Sequence, residues 1–279
     1  MLSLYRHPRH QGFVLGHHEL DRSTRRALLL HGFPGTPAEL RPVAEFLLGQ
    51  GFEVRAPLLP GFGAGMGSLG HTRWRDWVGA AQTAWDDLSG GADETLLLGF
   101  SMGGAVAVNV AARTPPDRLV LVAPFWRLPD RRAGLLPLVQ FAVPQLRPCA
   151  QADFATESVR AQIARIEPTL DLDDPDVQQA LREQIVLPTS SLVALQRLGG
   201  RAYRAAPRVK APTLVVQGED DTTVLATDTR RLVARLGGPV TFSELRGDHQ
   251  LVEAQSKGHG ELLEQLKQHI YQKKKEMST

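Results

Sequence analysis

Short runs rich in Leu and Val punctuate the chain at residues 27–30, 53–56, 95–100, 119–122 and 213–217. They lack the apolar–polar alternation of a half-exposed strand, which is the pattern left by parallel strands buried on both faces. Between them, residues 37–50, 73–88, 102–113 and 226–236 carry apolar positions at helical spacing, and a last strand-like run at 240–245 precedes a helical stretch at 261–273. Strand and helix in alternation predict an α/β fold, a mostly parallel central sheet with helices on both faces. The alternation lapses between residues 126 and 206. No β-rich run occurs there, and helical patterns at 156–166, 176–186 and 189–203 are punctuated by Pro144, Pro148, Pro168, Pro175 and Pro188. The expected organisation is a core of residues 1–125 and 207–279 with a helical cap, 126–206, inserted into it.

Composition narrows the class. A chain of 279 residues suits one hydrophobic core, and 42% hydrophobic with 22% charged residues fits neither a disordered chain nor a coiled coil. Lys and Arg number 32 against 30 Asp and Glu, so no electrostatic footprint for nucleic acid is present. Cys149 is the only cysteine, which rules out an intramolecular disulfide and a four-thiolate zinc site. The opening MLSLYRHPRHQ lacks the apolar core of about 7 to 15 residues that a signal peptide needs. The most apolar stretch, 134–146, is broken by Pro137, Gln140 and Pro144 and falls short of the roughly 20 residues of a spanning helix. A cytoplasmic protein without stable membrane insertion is expected, and lysines 273–275 read as a solvated helix end. Oligomeric state is not legible.

Chemistry enters at Gly99-Phe100-Ser101-Met102-Gly103, a Gly-x-Ser-x-Gly pattern between a predicted strand and a predicted helix. A serine on so sharp a turn adopts strained angles, and side chains two residues away would collide, so glycine flanks it. The turn holds the hydroxyl clear of the backbone at the sheet's carboxyl edge. The helix that starts there offers unpaired N–H groups, among which that of Met102 is the expected oxyanion donor. A second donor is expected from the loop after 28–30, His31-Gly32-Phe33-Pro34-Gly35; Pro34 has no N–H, and Phe33 is the candidate.

LLLHGFPG at 28–35, Pro57-Leu58-Leu59-Pro60-Gly61-Phe62-Gly63, LLLGFSMGG at 96–104 and LVVQGEDD at 214–221 together resemble the α/β-hydrolase fold, especially small bacterial carboxylesterases related to monoacylglycerol lipases. The resemblance covers residues 25–125 and 189–270. It implies oxyanion N–H groups from Phe33 and Met102. One departure is Phe62, where such sequences carry His. His31 leads the oxyanion loop and reads as a packed histidine bonded to backbone.

A serine needs a base, and imidazole suits the exchange. Of nine histidines, four precede residue 20 in an irregular segment, His31 and His71 lie upstream of the serine, and His259 and His269 belong to or flank the terminal helix. His249 remains, in Arg246-Gly247-Asp248-His249 after the last strand, where the resemblance also places a base. The acid follows the strand 213–217, where Glu219, Asp220 and Asp221 compete; the family spacing, three residues after the glycine, selects Asp221. The order Ser101, Asp221, His249 is that of α/β-hydrolases.

The expected activity is a carboxylesterase-type serine hydrolase working through an acyl-enzyme on a small acyl ester, with no metal and no cofactor implied. A thioesterase, lactonase or acyltransferase would use the same triad, and a non-catalytic binding protein would keep the fold without turnover. Because ligands of open α/β sheets bind at the carboxyl edge, the insertion is expected to roof the triad. Its apolar Phe125, Trp126, Leu135, Leu136, Leu138, Val139, Phe141 and Val143 are then expected to line an acyl pocket. Gly65-Met66-Gly67-Ser68-Leu69-Gly70 formally fits a dinucleotide fingerprint with Asp86 beyond it, but no strand leads directly into it and Asp86 sits in a helical pattern.

Overall fold

The structure, a computed structural model, describes residues 5, 7–16, 24–167 and 169–272. Its main sheet uses β1 (Phe13–Leu15), β2 (Arg25–Leu30), β3 (Phe52–Ala56), β4 (Glu94–Phe100), β5 (Arg118–Val122), β8 (Thr213–Gly218) and β9 (Val240–Leu245), in the order β1-β3-β2-β4-β5-β8-β9. All pairings are parallel except that of β1 with β3. A separate two-stranded ladder joins β6 (Gln145–Leu146) to β7 (Leu187–Pro188). The helices are α1 (Arg41–Gly49), α2 (Trp74–Ser89), α3 (Met102–Ala111), α4 (Leu136–Ala142), α5 (Glu157–Ile166), α6 (Pro175–Gln184), α7 (Thr189–Ala205), α8 (Ala226–Val233) and α9 (His259–Tyr271).

Successive residues of a strand point to opposite faces, and here both faces are covered. Leu28, Leu30, Leu97, Leu119, Leu121 and Val215 face one cluster with Trp77 and Trp85 of α2, Val106 and Val110 of α3 and Leu198 of α7. Ala27, Leu29, Leu96, Leu98, Val120, Val122, Leu214 and Val216 face the other, with Val43 and Leu47 of α1 and Leu262 and Leu266 of α9. Each such Leu or Val contributes about 1.5–3 kcal/mol by leaving water, so these two layers hold the sheet edge in place.

All six expected strands are present. Sequence patterning missed the short edge strand β1, the β6–β7 ladder, the 3-10 helical segment Gly63–His71 and α4. Each is too short, or too glycine-rich, to show a period. Within 126–206, α5 and α6 share a cluster of their own, Phe154, Ile163, Leu172 and Leu181. The helix α7 instead places Ala194, Leu195, Leu198 and Ala202 in the main cluster beside α3. Among the described residues, no helix is long and apolar enough to cross a membrane. Lysines 273–275, His17 and His18 lie outside the described residues.

Candidate active site

The sheet order sets the loops after β2, β4, β8 and β9 along one carboxyl edge. At its centre β4 ends on Phe100 and α3 begins on Met102, so Ser101 makes the turn alone with φ 50 and ψ −115. A side chain at positive φ is strained and persists only where its surroundings insist on it. They do so here. The Ser101 N–H donates to the Val122 carbonyl at 2.9 Å, and its carbonyl accepts the N–H groups of Gly104 at 2.9 Å and Phe125 at 3.0 Å. A β-carbon at Gly99 would overlap the Gly103 carbonyl, and one at Gly103 would overlap that of Leu30. The Met102 side chain is buried in the core, and its N–H belongs to the first turn of α3, where no intrahelical acceptor exists.

The loop after β2 is held from behind. The buried ring of His31 accepts the Leu59 N–H on Nε2 at 3.1 Å, so Nδ1 carries the proton and donates to the Gly32 carbonyl at 2.9 Å. Burial pushes this imidazole down to about 4, keeping it neutral. The Gly32 N–H donates to Glu39 Oε1 at 2.5 Å. Phe62 packs edge-on against His31, with ring centres 5.1 Å apart, and against Phe33 at 5.7 Å. It is a buried wedge under the loop and has no polar role.

Asp221 and His249 meet across the ends of β8 and β9. His249 Nδ1 lies 2.7 Å from Asp221 Oδ2, and the carboxylate is fully buried. Its other oxygen accepts the N–H groups of Thr223 and Val224, both at 2.8 Å, while Gln217 Nε2 donates to Oδ2 at 2.8 Å. Burial alone would raise this carboxyl, but the His249 hydrogen bond and charge, with the Val224 and Gln217 donors, outweigh it and hold Asp221 below the ordinary carboxylate range. Asp220 and Glu219 are exposed and contribute only backbone bonds, to Gly247 and Leu245.

Ser101, His249 and Phe33 line one hollow of about 540 Å³. Further wall comes from Phe100, from Tyr5, Arg9 and His10, from Thr36, Glu39 and Arg41 at the entrance to α1, from Gln162 and Ile166 of α5, and from Gln250, Glu253 and Gln255 after His249. None of the eight apolar residues expected to line it does so. Phe125 is in the core, and Trp126 stacks on Tyr203 at 4.2 Å. Leu135, Leu138 and Phe141 are 55%, 71% and 82% exposed, and Val139 and Val143 are exposed too. Leu136 is half-buried outside the hollow. A seven-residue helix with Pro137 at its second position and Pro144 just beyond its end carries too few turns for its apolar positions to declare a face, and α4 buries none of them. His10, in a segment read as irregular, is 1% exposed and bridges Thr36 Oγ1 at 2.9 Å and the Ile166 carbonyl at 2.8 Å, joining the core to α5.

The family described as "Serine aminopeptidase, S33" matches residues 22–247. The chain belongs to that family. This S33-family chain is similar to the thermostable monoacylglycerol lipase of Bacillus sp. (strain H-257), 26% identical over 70% of this chain and 69% of that one. It is also similar to a carboxylesterase of Bacillus subtilis (strain 168), 25% identical over 71% and 72% of the two chains. Among solved structures, one described as "LipS and LipT, two metagenome-derived lipolytic enzymes" has a TM-score of 0.72 at 22% identity, covering 93% of this chain and 96% of that one. That likeness shows the α/β-hydrolase fold.

Three residues of the candidate site escaped sequence reading. Gln217 is a fully buried polar residue directly after the apolar run 214–216 of β8, a signal that could have been read as a partner for the acid. Glu39 and Phe100, whose ring lies 5.0 Å from that of His249, left no such signal. The 65–70 glycines lie in the Gly63–His71 helical segment, and exposed Asp86 pairs with Gln82 within α2. Among the described residues no group of three or more His, Cys, Asp or Glu side chains is placed to hold a metal ion.

Proposed function

We propose that this hydrolase cleaves carboxylic esters of short to medium acyl chains, monoacylglycerols among them, through an acyl-enzyme on Ser101. The observation that carries the reading is the 2.7 Å bond between His249 Nδ1 and the buried Asp221 carboxylate, set in the same hollow as the strained Ser101. Asp221 holds the proton on Nδ1, leaving Nε2 to take the Ser101 proton as Oγ adds to the ester carbonyl. The developing oxyanion is received by the N–H groups of Met102 and Phe33. Collapse of the tetrahedral adduct expels the alcohol, which receives the proton from His249. Water, activated by the same base, then releases the acid and restores Ser101. The insertion 126–206 serves as the cap through α5, whose Gln162 and Ile166 reach the hollow. The reading places the protein in the cytoplasm, supported by its lone Cys149.

A fluorophosphonate should add one label, at Ser101, and Ser101→Ala should lose label and turnover together. Labelling elsewhere, or a full rate in Ser101→Ala, overturns the assignment. Across p-nitrophenyl esters, kcat/KM should rise about fourfold per methylene, from roughly 0.8 kcal/mol each, until the hollow is filled. A flat series from acetate to palmitate rejects the acyl-length preference, and faster turnover of thioesters or lactones reassigns the bond cleaved.

A further inference from the structure

A second hollow, of about 290 Å³, lies away from Ser101. Its wall includes Arg73, Trp74 and Arg75 at the start of α2, Gln140 of α4, and Val193 and Arg197 of α7. Arg201 stands one helical turn beyond Arg197 on the same face of α7. The Arg75 and Arg201 guanidinium groups both sit against the Trp74 ring, 4.7 and 5.4 Å from its centre. Three arginines, Arg73, Arg75 and Arg197, thus line one cavity, with Arg201 beside them on the Trp74 ring, in a chain whose net charge is only +2. None of the four has a carboxylate partner among the described residues.

The acids that would neutralise them are missing from the facing elements. Neither the Gly63–His71 segment, nor α4, nor α7 carries an Asp or Glu. Asp76 is the single acid in the first turn of α2, and its carboxylate accepts the Arg73 N–H at 2.7 Å. Some arginines elsewhere are ion-paired, Arg230 with Glu244 and Arg160 with Asp173 for example. Like charges concentrated around a cavity repel one another until an anion enters, and guanidinium forks match the oxygens of a phosphoryl group in pairs.

We infer that this hollow is a binding site for a phosphate-bearing ligand, with Arg73 and Arg197 as its principal contacts. The cavity is roomier than a bare phosphate needs, so the phosphoryl group belongs to a larger molecule, either a soluble phosphate ester or a lipid headgroup. Esters need no phosphate for hydrolysis at Ser101, so the site stands apart from the catalytic hollow and its occupancy is a separate property.

The test uses the full chain at low ionic strength, where exposed charges are least screened. Inorganic phosphate is titrated by calorimetry in one arm. Sedimentation with phosphatidylcholine vesicles, with and without phosphatidylglycerol, forms the other. The Arg73→Gln/Arg197→Gln double variant, with Arg208→Gln as a charge-matched control elsewhere, should melt like the wild type and hydrolyse esters at its rate. Saturable phosphate binding, weakened tenfold or more in the double variant but not in the control, supports a soluble ligand. Binding confined to phosphatidylglycerol vesicles with the same loss supports a headgroup. No binding in either arm, or equal binding by the double variant and the control, overturns the proposal.

Discussion

The backbone of Ser101 is tied on every side: its N–H to β5, its carbonyl to the N–H groups of Gly104, Ala105 and Phe125, its flanking glycines against neighbouring carbonyls. In α4 of the insertion no residue is buried, and Phe141 is 82% exposed. One region is over-determined, with several independent contacts specifying each position. The other rests on a four-residue cluster under α5 and α6. On the function proposed above, chemistry that tolerates little displacement sits where constraints overlap, and α5, the part of the insertion that reaches the hollow, sits where they are sparse.

The largest effect should come from the over-determined side. Asp221→Asn is expected to lower kcat by about 10⁴, because His249 loses the acceptor that fixes its tautomer, whereas Asp220→Asn should stay within about twofold. Steady-state rates of the two variants decide it, and a reversed pattern would exchange the roles.

Matched truncations come next. Leu121→Ala, in the sheet core, should lower global stability by about 2–5 kcal/mol in urea unfolding. Leu181→Ala, equally buried but in the insertion, should speed amide exchange across α5 and α6 while moving the global midpoint little. Equal global losses would mean that the two regions unfold as one, erasing the contrast.

Acid should find the core too. His31 and His269 are both buried and pushed down from 6.5 to about 4, so the fold binds their neutral forms. Above pH 6.5 neither state takes the proton. As pH falls from 6.5 towards 4 the unfolded chain gains protons that the fold refuses, and each histidine costs roughly 3 kcal/mol by the lower end. Urea midpoints at pH 7, 5.5 and 4.5 should decline along this window, less steeply in His269→Gln. Asp221, held low, loses its contribution only at lower pH still. The smallest effect belongs to Phe141→Ser, expected within about 0.5 kcal/mol in stability and without change in kcat/KM for p-nitrophenyl butyrate. A clear loss there would restore α4 to the pocket.

The same contrast explains what could be read from the residues. The runs at 27–30, 95–100 and 213–217 declare buried parallel strands because both faces must be apolar, and Gly99 and Gly103 declare the turn because nothing larger fits. His249 follows from its place after the last strand and Asp221 from the spacing that the family resemblance implies, and the structure joins them directly. The wall of the hollow was illegible. It is assembled from His10, Glu39, Gln162 and Glu253, separated by long stretches of chain and marked by no period. The apolar residues 135–143 misled because hydrophobicity records a preference for leaving water and says nothing of which partner is near.

The β6–β7 ladder, pairing Gln145 with Pro188 and Leu146 with Leu187, has a bearing on descent. It sets the two ends of residues 147–186 side by side, so that α5 and α6 leave the rest of the chain through a neck two residues wide, with a further tie from the Ile166 carbonyl to His10. Such a neck is a natural splice point. A lineage can lengthen, shed or exchange what lies beyond it without moving a strand of the main sheet or a member of the Ser101, Asp221, His249 group. Gln162 and Ile166 would change with the exchanged piece, and substrate range would then be inherited separately from the reaction.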